Sequence, residues 1–89
     1  MSDPLRQLAA LATLPDGWDS YGARPIAPAA TEEARRLLWL MDDPSQAPSV
    51  VPTSRGGVQL EWAHPHGLGS EVEIEIGPDG RIIGLWVML

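Results

Sequence analysis

Four glutamates and two histidines are the side chains whose types and spacing could do chemistry in this chain. His64-Pro65-His66 can turn two imidazoles to one side of an extended segment, and Glu61 would add a carboxylate to the set. Two histidines without a second cluster, followed by Gly67-Leu68-Gly69, read equally as a turn, so no metal and no cofactor is assigned. Glu61, Glu71, Glu73 and Glu75 could share general acid and base work only in a cleft that gave them different environments. On an open sheet face they would be alike and wet, so no enzyme is expected. Gly56-Gly57 lacks the Lys-Ser/Thr and helix of a phosphate loop, and Ser20 has no base at a useful spacing. A small metal-dependent or acid/base enzyme centred on Glu61, His64 and His66 stands as the alternative to a binding protein.

The elements that would position those glutamates are strands. Glu71-Val72-Glu73-Ile74-Glu75-Ile76 alternates strictly, which predicts a half-buried strand over about 71–77 with its branched residues inward. Gly77-Pro78-Asp79-Gly80 then suits a hairpin loop with Gly80 in the left-handed position, and a last strand follows over 81–88. If Gly77 pairs with Arg81, Ile76, Ile74 and Val72 face Ile82, Gly84 and Trp86. The same register sets Glu75, Glu73 and Glu71 beside Ile83, Leu85 and Val87. Upstream, Val58-Gln59-Leu60-Glu61-Trp62 alternates over 58–63, and Ser49-Val50-Val51-Pro52 reads as a short edge strand over 49–52.

Two helices precede the strands. Asp3 can cap a helix over about 4–13 whose stripe is Leu5, Leu8, Ala9, Leu11 and Ala12, with Pro4 at the first position. A second runs over about 28–42 with Ala30, Ala34, Leu37, Leu38 and Met41 on one face. Residues 1–89 therefore read as one α+β domain, two N-terminal helices on one face of a three- or four-stranded antiparallel sheet. The expected inner face carries Val58, Leu60, Trp62, Val72, Ile74, Ile76, Ile82 and Trp86. The outer face collects Gln59, Glu61, Glu71, Glu73 and Glu75 with Ile83, Leu85 and Val87, an apolar strip bordered by carboxylates that suits a protein contact.

Charge narrows the partner. Twelve acids oppose six arginines, with no lysine, for a net charge of −6. Residues 56–80 hold five of those acids and no arginine. Such a field repels phosphate backbones and attracts a basic protein surface, so a protein partner or a second copy is expected, and nucleic acid is not. There is no cysteine, no basic-then-apolar leader and no apolar run long enough to span a bilayer, which predicts a cytoplasmic protein without membrane contact.

Between the helices, Trp18-Asp19-Ser20-Tyr21-Gly22-Ala23 reads as a structural loop. Trp18 and Tyr21 would plug the end of the core, Asp19 would accept backbone N–H bonds and Gly22 would take a positive φ. The functional alternative is an aromatic pocket with Asp19 as its polar contact. Trp39 falls opposite the stripe of the second helix, beside Arg35 and Arg36, where it could anchor a partner or stack with Arg35 alone. Leu14-Pro-Asp-Gly-Trp-Asp-Ser-Tyr-Gly-Ala-Arg-Pro-Ile26, with Pro52-Thr53, Gly56-Gly57-Val58-Gln59-Leu60-Glu61-Trp62 and the Glu-Ile-Glu-Ile strand, resembles a scattered set of small bacterial and prophage proteins. The resemblance spans most of residues 14–77, implies a reused domain and carries over no catalytic residue. With size and acidity it implies an antitoxin-like protein or a phage-type inhibitor, anti-CRISPR proteins included.

Overall fold

The computed structural model describes residues 3–40, 47–63 and 71–88. Two helices, α1 (Pro4–Leu11) and α2 (Pro28–Leu40), precede four strands, β1 (Ser49–Pro52), β2 (Val58–Ala63), β3 (Glu71–Ile76) and β4 (Ile82–Met88). The strands form one antiparallel sheet in the order β1-β2-β3-β4, so each neighbour in sequence is a neighbour in space. This is the α+β layering expected from the patterns. β4 is an edge strand.

Local chemistry starts α1. Asp3 accepts the Leu5 N–H at 3.0 Å and Pro4 occupies the first helical position, where a missing N–H costs nothing. Leu8 and Leu11 are its buried residues, whereas Leu5, Ala9 and Ala12 face outward. On α2 the small residues Ala30 and Ala34 are fully buried and bring the helix backbone close to the sheet, with Leu38 beyond them. Leu37 is half-buried against that core, and Met41 lies outside the described residues. The sheet contributes Val50, Val58, Leu60, Trp62 and Ile76, and the most enclosed side chains are Leu8, Leu60, Ile76 and Val58. Val72 and Ile74 pack at the margin of this core, half-buried.

The hairpin joining β3 to β4 begins as its sequence demands. Gly77 N–H donates to Arg81 O at 2.7 Å, Gly80 N–H donates to Gly77 O at 2.9 Å, and Gly80 has φ +83°. One step later the expected register fails. Ile76 pairs with Ile82, but Glu75 pairs with Gly84, Ile74 with Leu85, Glu73 with Trp86 and Val72 with Val87. Ile83 is an extra residue, a β-bulge, and every side chain after it changes face. Leu85 and Val87 thus share the helix-side face with Ile74 and Val72. Trp86, expected inward, lies outside with the glutamates, and Ile82, also expected inward, is half-exposed. α1 packs on β1 and α2 on β2 and β3, and Leu85 and Val87 on the inward face of β4 are exposed.

Candidate functional site

The outer sheet face is built by β2, β3 and β4. Glu61 and Glu73 are direct cross-strand partners, Gln59 faces Glu75, and Ala63 faces Glu71. Like charges directly opposite one another destabilise a sheet, and among the described residues Gln59 moderates the contact. Its Nε2 donates to Glu61 Oε2 and to Glu73 Oε2, each at 3.3 Å. Among the described residues no arginine pairs with any of the four glutamates; the ion pairs there are Arg36–Glu33 and Arg81–Asp79. Partial desolvation, then the charges of Glu61 and Glu71, hold the Glu73 carboxyl above the usual carboxylate range.

Trp86 completes this face. A side-chain carbon added at Gly84 would meet the Trp86 ring at 2.2 Å, so the outer edge of the indole reaches over Gly84 on the row opposite Glu75 and Glu73. It remains 45% exposed. The structure therefore brings Glu61, Glu71, Glu73 and Glu75 together as expected, but the apolar neighbour is an indole rather than an aliphatic strip. Ile83 sits against Gly77 at the bulge, and Leu85 and Val87 are on the opposite face. Periodicity could not disclose this, because a run of apolar residues around a glycine carries no phase of its own. Gly84 was the available signal: a strand glycine often marks a bulge or a close approach.

Of the candidate metal ligands, only Glu61 falls within the described residues. His64 and His66 lie outside them, and no group of three or more acids or histidines within them could hold an ion. No helix among them is long and apolar enough to cross a membrane. Trp39 is 77% exposed on the outer side of α2, as its helical position requires. Beside it, Arg36 Nε donates to Glu33 Oε1 at 2.9 Å, which holds the Glu33 carboxyl low and the Arg36 guanidinium high.

The loop between the helices follows its structural reading in part. Asp19 Oδ1 accepts the N–H groups of Tyr21 at 2.8 Å and Ala23 at 3.0 Å, Gly22 has φ +82°, and Trp18 Nε1 donates to Arg24 O at 2.9 Å. Trp18 is half-buried. Tyr21 does not plug the core: the turn, with Ser20 at φ +65°, turns it outward to 92% exposure. Asp19→Ala is expected to cost about 1–2 kcal/mol by removing an acceptor shared by two N–H groups. Urea unfolding checks it, and a loss within ordinary surface variation would mean that Trp18 and the backbone hydrogen bonds hold the loop without Asp19.

Sequence reading did not anticipate where this loop docks. Arg24 N–H donates to Ser54 O at 3.0 Å and Ala27 N–H to Gly56 O at 2.9 Å, fastening it to the β1–β2 turn. A groove of about 540 Å³ lies there, lined by Arg24 and Arg55 together with Pro78, Asp79 and Ile83. The loop that carries Trp18 to Ala23 and the Gly56-Gly57 turn before β2 meet at this end of the sheet. Comparison with protein-family models, curated proteins and solved structures returned no match for this chain.

Proposed function

We propose that this chain is a non-enzymatic binding module that captures a basic protein on the outer face of its sheet. The observation that carries the reading is the juxtaposition of Glu61, Glu71, Glu73 and Glu75 on one face, without a described basic partner, beside the exposed indole of Trp86. Carboxylates set opposite one another cost folding free energy, and a protein gains from keeping them where a cationic surface neutralises them. Trp86 offers a lysine or arginine side chain a π-face next to its counter-charges. The hollow among Glu61, Glu71 and Glu73 is only about 180 Å³, below the size of ligand-enclosing pockets, which favours recognition over catalysis. The biological role we propose is neutralisation of a larger basic partner, antitoxin-like or as a phage-type inhibitor of the anti-CRISPR kind, inside the cytoplasm.

The test is a substitution with opposite effects on folding and binding. Glu73→Gln should raise the melting temperature at neutral pH, because a neutral amide replaces the carboxylate between Glu61 and Glu71. It should also lower recovery of the partner from a lysate of the native host. The pH dependence follows from the raised Glu73 value. The folded chain holds this proton more tightly than the unfolded chain. This contribution to stability therefore falls as pH rises from the ordinary carboxylate value to the raised one. Binding runs the other way and weakens as pH falls through that window, since a cationic partner needs the ionised form. A Glu73→Gln chain with unchanged partner recovery, or a partner with an acidic surface, contradicts the proposal.

A further inference from the structure

We infer that β4 is a self-pairing edge, and that two copies of this chain join β4 to β4 antiparallel about a twofold axis, extending the sheet to eight strands. The observation is independent of the acidic face. The two edges of the sheet are treated differently. At β1 the strand is four residues long, ends in Pro52, and has the Val50 N–H taken by Gln7 Oε1 of α1 at 2.8 Å. Proline, shortness and a covering helix are the usual protections of an edge. β4 is seven residues long and has no proline and no charge. Its inward face exposes Leu85 at 64% and Val87 at 59%, beside half-buried Ile74 and Val72. A bulge at its start is its one irregularity.

A second copy fits this edge better than an unrelated strand does. The edge is self-complementary: antiparallel pairing about an axis at Trp86 sets Leu85 of each copy opposite Val87 of the other on one face and Trp86 opposite its own counterpart on the other. Charge also permits it, even at −6 per chain. The glutamates of β3 are one strand in from the seam, so the two β3 strands stand three spacings, or about 14 Å, apart. That exceeds the Debye length of about 8 Å at physiological salt, and the seam itself is neutral. The half-exposed side chains of β4 present a few hundred Å² of apolar surface, which twofold doubling brings toward the roughly 1,000 Å² of a specific interface.

The experiment uses the purified full chain alone. Sedimentation at about 100 µM, above the micromolar range suited to an interface of this size, should show a dimer. Leu85→Asp should raise the dissociation constant about 100-fold or more while circular dichroism stays unchanged, because the side chain is exposed in the single copy. Since the chain has no cysteine, single cysteines placed along 82–87 give a geometric reading. In an antiparallel twofold pair only the position at the axis faces itself, so disulfide formation should peak at one residue of β4. A monomer at all concentrations overturns the inference. So does a dimer that survives Leu85→Asp, or one whose cross-linking shows no peak along 82–87.

Discussion

Gly57→Ala should cost about 3 kcal/mol or more, a large part of what a domain of this size has to lose. A side-chain carbon at Gly57 would sit 2.1 Å from the carbonyl oxygen of Ile76, and 3.0 Å from Thr53 Oγ1. The obstacle is backbone, which cannot swing aside as a flexible side chain can. Gly57 also anchors the β1–β2 turn, where its N–H donates to Thr53 Oγ1 at 3.0 Å and its carbonyl accepts from Thr53 N–H at 3.0 Å. To admit the methyl, β2 must part from β3 next to Val58 and Ile76, two fully enclosed β-branched residues of the sheet. A melting-temperature drop of roughly 12–24 °C is expected from a loss of that size. Gly22→Ala is the control. That position has φ +82° and open space around it, so it should lose only about 1–2 kcal/mol of backbone strain. Equal losses at the two sites would contradict the packing described at Gly57.

Glu71→Lys with Glu75→Lys should slow association with the proposed basic partner by about 10- to 1,000-fold. The two changes move the net charge from −6 to −2, each replacing −1 by +1. On β3 they bracket Glu73 on the same face, so the row becomes alternating in sign and the fold should hold or gain stability. Charges at a rim act mainly on encounter, so the salt dependence of association should flatten as well. Trp86→Ala makes the companion measurement. Removing the indole should leave association nearly unchanged and quicken dissociation, because anchors govern how long a complex lasts.

Most of the fold was legible because its signals were local. Alternation marked β2 and β3, Asp3-Pro4 marked the start of α1, and Gly77 to Gly80 fixed the first pairing of the last hairpin. The four-glutamate face followed from the same alternation. What failed was β4, where seven uncharged residues around Gly84 contain no polar beat to set the phase, and one bulge at Ile83 reversed the assignment of Leu85, Trp86 and Val87. Tyr21 failed for a related reason: spacing along the chain gives no direction once Ser20 takes a positive φ. The groove near Arg24 and Arg55 was hidden because it needs three separate segments to meet, and only backbone hydrogen bonds bring them together.

The most direct measurement is parallel capture from a lysate of the native host, with the wild-type chain and the Glu71→Lys/Glu75→Lys chain as baits, read by quantitative mass spectrometry. At least one basic protein should be retained by the wild type and lost from the variant, with both baits equally folded by circular dichroism. Identical sets on the two baits, or a retained partner that is acidic, would contradict the proposed function.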